Sequence, residues 1–236
     1  MKKLLVSLFV ISLIISCKNE KGKEAQIPQQ EETNSNTETL QMTVEAPTFD
    51  YASFGIVDTD IPKGLEVGAM APDISFPAER DDKMYLPNLY KEQPLVIIFY
   101  RGYWCPVCNK YLSDFATKVS QIEAKGAKII AFTPETSENI AKTKKNTSLG
   151  IAVYSDSDGS IMKAFDVDYE VTEGYQNKIQ EKLNTSINET NNTDTAILPV
   201  PATFIINKEG KIVYKQFDPD YHNRASVEEI LANIPQ

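Results

Sequence analysis

The stretch Leu95-Val96-Ile97-Ile98-Phe99-Tyr100-Arg101-Gly102-Tyr103-Trp104-Cys105-Pro106-Val107-Cys108 decides how the chain is read. Its first six residues form an unbroken apolar, β-branched run behind Pro94. That pattern predicts a strand over 95–100 buried on both faces. Pro106 marks the start of a helix, because the N–H it lacks has no partner at the first helical position anyway. Val107, Tyr111, Leu112, Phe115, Val119 and Ile122 share one helical face, so a single helix is expected up to a stop at Gly126. Cys105 therefore falls where a buried strand ends and a helix begins.

Outward from this unit, strand and helix alternate. Strands are expected over 127–133, 151–154, 202–207 and 211–217, and helices over 137–145 and 160–165. Lys208-Glu209-Gly210 is a turn signal between the last two strands. Ser226 and Glu229 have the spacing of a capping box and open a final helix. The fold class is α/β, with a mixed central sheet flanked by helices. Between 171 and 198 the pattern lapses into Asn, Thr and Ser, and an exposed insertion is expected there.

The 236 residues hold 33 acids, 24 bases, three Cys and one His, for a net charge of -9. An acidic chain is a poor nucleic-acid ligand. A lone His excludes multi-His metal sites, so no metal or cofactor is expected. Sulfur, carboxylates and hydroxyls are left to carry the chemistry. Met1-Lys2-Lys3 and the apolar run 4–15 read as a secretory signal, since a membrane span needs about 20 apolar residues. Ser16-Cys17 resembles the lipobox of bacterial lipoproteins. Residues 1–16 are thus expected to be removed and Cys17 to carry lipid that holds the protein to a membrane. An ordinary secreted protein with a stray Cys is the alternative. Residues 17–47 lack the apolar content to fold and read as a tether of roughly 30 Å r.m.s. reach, ahead of a folded domain at 48–236. The expected location is the bacterial cell envelope, facing the periplasm or the outer surface.

Cys105 sits at a helix N-cap, where unpaired N–H groups and the helix dipole favour a thiolate. Cys108 lies one turn further and is poised to resolve what Cys105 attacks. A structural disulfide would close a very short loop and stabilise little. A zinc site would lack ligands beyond distant His222. Arg101 reads either as a stabiliser of the thiolate or as a surface ion pair. Trp104 packs beside the pair or merely shields the sulfur. His222 reads foremost as a surface residue, with Tyr221 and Arg224 beside it as a possible pocket rim. Pro201, leading into a strand, reads on spacing alone as a trans strand-start residue.

Four motifs carry a family resemblance: Gly68-Ala69-Met70-Ala71-Pro72-Asp73, the Phe99–Asn109 stretch around the Cys pair, Leu198-Pro199-Val200-Pro201-Ala202-Thr203-Phe204, and Asp218-Pro219-Asp220-Tyr221. From about 68 to 234 the chain resembles the peroxiredoxin-like branch of the alkyl hydroperoxide reductase/thiol-specific antioxidant superfamily. The resemblance implies a thioredoxin-like fold, a cis Pro201 facing Cys105, and thiol-dependent reduction of a peroxide or a disulfide. The chain departs from the family pattern at Ile98 and Gly102, where Pro and Thr or Ser are usual, and at Pro201, where an Arg is usual.

Two enzymatic readings follow. In the first, Cys105 reduces hydrogen peroxide or an organic hydroperoxide and passes through a sulfenic acid to a Cys105–Cys108 disulfide, which a thioredoxin-like thiol donor reduces. In the second, the same pair reduces protein disulfides. A third reading, a tethered binding module with an idle Cys pair, is not enzymatic.

Overall fold

The computed structural model describes residues 49–77 and 83–236. The expected signal peptide, the lipidated Cys17 and the tether lie outside the described residues. The chain enters with a 3-10 turn at Tyr51–Phe54 and a small antiparallel ribbon, β1 (Ser75–Pro77) against β2 (Lys83–Tyr85), followed by α1 (Leu86–Glu92). Next come β3 (Leu95–Phe99), α2 (Pro106–Ala116), α3 (Val119–Ala124), β4 (Lys128–Thr133), α4 (Ser137–Thr147), β5 (Ala152–Ser155) and α5 (Ser160–Ala164). The remainder is β6 (Asp168–Glu170), α6 (Glu173–Leu183), α7 (Ile187–Asn191), β7 (Ile197–Pro199), β8 (Ala202–Ile206), β9 (Ile212–Phe217) and α8 (Val227–Asn233).

Five strands form the central sheet in the order β5-β4-β3-β8-β9. β4 and β5 run parallel to β3 and to each other, β8 is antiparallel to β3, and β9 is antiparallel to β8. The sheet is mixed, as the sequence predicts. β3 lies at its centre, and the two-residue period of a strand divides its side chains. Leu95, Ile97 and Phe99 enter one core with Phe132, Phe165 and Phe204, while Val96 and Ile98 enter the other with Leu112, Phe115 and Ile230. Both faces are dry, and this is why β3 shows no polar alternation.

The helix expected to run unbroken from Pro106 to Gly126 is two helices. The Thr117 hydroxyl donates to the Asp114 carbonyl at 2.8 Å, and the Lys118 N–H turns back to Phe115 O at 2.9 Å. These i→i−3 bonds end α2, as Ser and Thr hydroxyls often do when they compete for backbone partners. Gly126 closes α3 at φ 84°, with its N–H on Glu123 O and the Ala127 N–H on Ile122 O, the paired bonds of a Schellman stop. The turn between β8 and β9 and the Ser226–Glu229 capping box occur where the sequence places them.

Residues 171–198 depart from expectation. They hold α6, α7 and β7 and not a bare exposed loop. Tyr175, Ile179, Ile187, Ala196 and Leu198 are buried in a third cluster that contains Trp104, Cys105 and Cys108. Asn184 and Asn192 end the two helices in the left-handed conformation that asparagine tolerates, while Thr190 and Asn191 are buried, with Asn191 Nδ2 donating to Ile197 O at 3.0 Å. Polar composition hid an amphipathic roof over the Cys pair.

Candidate active site

The Cys pair lies beyond the carboxyl ends of β3 and β4, the usual position for a site in an open α/β sheet. Cys105 is the N-cap of α2, and Pro106 occupies the first helical position. The Cys105 N–H donates to Gly102 O at 3.2 Å, which closes a tight turn between strand and helix. Its Sγ accepts the Cys108 N–H at 3.2 Å, so the sulfur fills the role that a Ser or Asp oxygen plays in an ordinary cap. Both thiols are free, and both residues are 0 % exposed.

Arg101 is also buried. One Nη donates to Cys105 Sγ at 3.0 Å and the other to the Tyr175 hydroxyl at 2.7 Å. The guanidinium carbon lies 3.6 Å from the Tyr221 ring centroid, within cation–π range, and 5.4 Å from that of Trp104. Arg224 approaches the other sulfur. Its Nη2 is 3.5 Å from Cys108 Sγ, and its Nε donates to Tyr221 O at 2.7 Å. Two arginines thus bracket two sulfurs.

Burial raises the Cys105 thiol well above its ordinary range, and the hydrogen bond with Cys108 adds to this, while Arg101 pulls it back. Burial also opposes a charge on Cys108, but the hydrogen bond from Cys105 and the charges of Arg224 and Arg101 outweigh it and hold Cys108 well below. The two sulfurs titrate as one unit, with one easy proton and one hard one. Arg101 acts in favour of negative charge on both sulfurs, and Arg224 on Cys108. Arg101 keeps its proton: burial works against the charge, but the neighbouring sulfurs and the Tyr175 and Tyr169 hydroxyls favour it more.

Glu135, between β4 and α4, is fully buried and was not singled out from the sequence. Both its carboxyl oxygens accept the Tyr103 N–H, at 3.0 and 2.9 Å. Burial lifts its pKa to about 8 against the bonds from Tyr103, with Cys108 adding to the rise and Lys142 opposing it. A Cβ on Gly102 would come within 2.5 Å of both Glu135 Oε1 and Trp104 Nε1, so no larger residue fits there as packed.

The structure gathers Cys105, Cys108, Arg101 and Trp104, and it adds Tyr221 and Arg224 from the expected rim. Pro201 is buried and leads into β8, but no described peptide bond is cis, so the expected cis Pro facing Cys105 is corrected to trans. The segment passes extended from β7 toward β8, with the Val200 N–H bonded to Val167 O at 2.7 Å, and the ordinary trans preference is left in force. His222 stands apart, its side chain 58 % exposed and its Nδ1 2.6 Å from Asp220 Oδ1. Tyr175 was missed, although Tyr175, Ile179 and Leu183 recur at the four-residue spacing of a buried helical face. No comparable signal marked Glu135. Among the described residues, no group of three His, Cys, Asp or Glu side chains forms a cluster that could hold a metal ion, and no helix is long and apolar enough to cross a membrane.

This site on this sheet is that of a thiol-based redox protein. A sequence model of the AhpC/TSA family matches residues 67–215, and the chain belongs to that family as a peroxiredoxin-like member with a thioredoxin fold. Peroxiredoxin Bcp of Bacillus subtilis is 27 % identical over 103 residues, covering 44 % of this chain and 65 % of the relative. A Mycobacterium tuberculosis protein provisionally named a peroxiredoxin is 21 % identical over 154 residues, 65 % of this chain and 86 % of that one. Among solved structures, peroxidoxin BcpB of Mycobacterium tuberculosis superposes with a TM-score of 0.54 at 18 % identity, over 72 % of this chain and 96 % of that one. Reduced Prx3 of Vibrio vulnificus, solved with hydrogen peroxide, gives 0.56 at 16 % identity, over 71 % and 97 %.

Proposed function

We propose that this chain, a thiol peroxidase by family, reduces hydrogen peroxide or organic hydroperoxides through Cys105 and Cys108. The observation that carries the reading is Cys105 Sγ held at an N-cap, 3.0 Å from the Arg101 guanidinium and 3.2 Å from the Cys108 N–H, with a second thiol one turn away. The Cys105 thiolate attacks the terminal peroxide oxygen. The O–O bond breaks, Cys105 becomes a sulfenic acid, and the alkoxide or hydroxide leaves with a proton as alcohol or water. Cys108 then attacks the Cys105 sulfur, a disulfide forms and water departs. A dithiol donor such as thioredoxin restores both thiols by exchange.

Arg101 supplies the positive charge that the family otherwise takes from the position of Pro201. Complete burial of both sulfurs under α6 supports a small substrate over a folded partner's disulfide. The second reading, a thiol–disulfide oxidoreductase, draws on Gly102, which has no hydroxyl to offer a peroxide. Lipid on Cys17 anchoring the domain at the cell envelope completes the proposal, and labelling the full chain with a radioactive fatty acid tests it: Cys17→Ala abolishes incorporation.

The chemistry is tested by mixing the reduced domain with stoichiometric hydrogen peroxide under stopped flow and following Trp104, the chain's single Trp. A change much faster than that of a free thiol and absent in Cys105→Ser supports the peroxidase. A sluggish response combined with rapid reduction of a protein disulfide moves the assignment to the oxidoreductase.

A further inference from the structure

Arg224 stands in the turn beyond β9, far along the chain from the Cys pair, yet its guanidinium reaches the second sulfur. Nη2 lies 3.5 Å from Cys108 Sγ, a hydrogen-bonding distance for an atom of sulfur's radius. Two further contacts fix the side chain. Its Nε donates to Tyr221 O at 2.7 Å, and its guanidinium carbon sits 5.4 Å from the Tyr111 ring centroid, within cation–π range. Tyr111 and Cys108 are three residues apart on α2 and so share one face of it. The Tyr111 hydroxyl donates to Ala225 O at 3.1 Å and ties the turn to the helix. Arg224 thus lies across one turn of α2, over an aromatic ring at one end and against a thiol at the other.

The carboxylates around Arg224 are engaged elsewhere. It lines a cavity of about 330 Å³ between α2 and the start of α8, together with Asp114 and Glu228. Lys110 holds Asp114 at 2.7 Å and Lys118 holds Glu228 at 2.8 Å. In its own turn, Asp218 accepts from Asn223 Nδ2 at 2.8 Å, and Asp220 Oδ1 is 2.6 Å from His222 Nδ1. Arg224 has no ion pair among the described residues, so its charge is left for the sulfur. Cys108 also faces Tyr100, Arg101 and Cys105 from the end of β3 and the connection after it, Glu135 from ahead of α4 and Tyr169 from β6. Burial opposes a charge on Cys108, and the bond from the Cys105 thiol and then Arg224 and Arg101 favour it. The Cys105 thiol hydrogen is gone once Cys105 is oxidised, and the arginines remain.

We propose that Arg224 is a catalytic residue of the resolving step, stabilising the Cys108 thiolate and so setting how fast oxidised Cys105 closes to the disulfide. The inference deepens the peroxidase reading and rests on it for the identity of the oxidant. After peroxide has turned Cys105 into a sulfenic acid, Cys108 gives up its proton and its sulfur attacks that of Cys105. The S–S bond forms, the S–O bond breaks, and the departing hydroxide leaves with a proton as water. One sulfenic acid and one thiol thereby become one disulfide and one water. Slow closure leaves the sulfenic acid open to a second peroxide and to irreversible sulfinic acid, so Arg224 also protects Cys105.

Two measurements test this. Stopped-flow oxidation by peroxide separates the steps, because attack depends on peroxide concentration and closure does not. Arg224→Gln keeps a hydrogen-bonding end group and loses the charge. Closure is expected to slow ~10-fold or more, as for loss of a hydrogen bond to a charged partner, and by a larger factor than attack. Mass spectrometry should then find Cys105 sulfinic acid at a peroxide excess that leaves wild type as the disulfide. Closure at the wild-type rate, or attack and closure slowed equally, overturns the proposal. The second measurement uses no peroxide. In the full chain carrying Cys17→Ala and Cys105→Ser, Cys108 is the sole thiol, and ultraviolet absorbance titrates its thiolate. Adding Arg224→Gln should move that titration to higher pH, and an unmoved titration overturns the proposal. Arg224→Lys keeps a charge without the fixed fork and should fall between the two in both readouts; a lysine variant no better than glutamine also overturns it. A wild type that reacts sluggishly with peroxide but shows the Arg224-dependent titration sinks the peroxidase reading and leaves Arg224 supporting Cys108 in exchange with a protein disulfide.

Discussion

Replacing Arg101 by Gln removes the charge that faces Cys105 and preserves a planar, hydrogen-bonding end group. In the native site the guanidinium donates to Cys105 Sγ at 3.0 Å inside a fully dry pocket. A hydrogen bond to a charged partner contributes about 1.5–3 kcal/mol. At 1.36 kcal/mol per factor of ten, oxidation of Cys105 at neutral pH should slow by roughly 10- to 150-fold. The same loss should raise the thiol pKa further, because Arg101 is one of the groups that pulls it down. The assay is stopped-flow oxidation over a range of pH, paired with ultraviolet thiolate absorbance. Part of the defect should be recovered at alkaline pH, where the thiolate forms without help. Arg101→Lys keeps a charge and loses the two-pronged grip on Cys105 and Tyr175, so it should fall between the two. A thermal melt of each variant separates folding from chemistry. An Arg101→Gln protein that folds, reacts at the wild-type rate and shows the wild-type thiolate titration would refute the reasoning, and with it the role assigned to the charge.

Cys108→Ser should still be oxidised by one equivalent of peroxide but halt at a sulfenic acid that dimedone captures, and mass spectrometry should show no internal disulfide. Tyr175→Phe removes the 2.7 Å bond that steadies Arg101 and should slow Cys105 oxidation by several-fold, the effect of losing about 1 kcal/mol, as read in the same stopped-flow trace. Gly102→Ala places a methyl 2.5 Å from Glu135 Oε1 and Trp104 Nε1, and should lower stability in urea by about 1–3 kcal/mol through overpacking. Asp156 is raised by burial from 3.8 to about 7 and Glu135 from 4.5 to about 8. Each binds its proton more tightly in the folded chain, so the stability it contributes is full below the lower value and is lost as pH rises to the upper one. The urea midpoint should therefore fall across that window, and Glu135→Gln should flatten the upper part. A midpoint that climbs over the same range contradicts both assignments.

Legibility in the sequence followed locality. β3, the Pro106 start, the Cys pair at a helix N-terminus, the turn between β8 and β9 and the capping box of α8 are each written in a few adjacent residues, and the structure has them in place. Arg101 was recognisable as a candidate because it is four residues from Cys105, but its contact with Tyr175 was not, since 74 positions separate them. The end of α2 turned on the Thr117 hydroxyl competing for a backbone carbonyl, a choice invisible to an apolar pattern that carries on into α3. α6 and α7 were obscured by Asn and Thr, of which Thr190 and Asn191 are buried and take internal hydrogen bonds that an apolar pattern does not register. Glu135 offered no sign at all: an acid just before a helix N-cap is commonplace on a surface, and only tertiary packing makes this one dry.

Arg101 has one consequence for the order in which the protein becomes reactive. Its hold on Cys105 is fixed by Tyr175 and by the ring of Tyr221, and Cys108 meets Arg224. All three partners arrive late in the chain. A growing polypeptide in which α2 alone has formed offers Cys105 a helix N-cap but lacks Tyr175, Tyr221 and Arg224. The sulfurs gain the rest of their electrostatic setting only when β8, β9 and the turn beyond β9 have docked. Synthesis from the N-terminus thus acts as a timer, and the sulfurs are armed last, inside a finished enclosure.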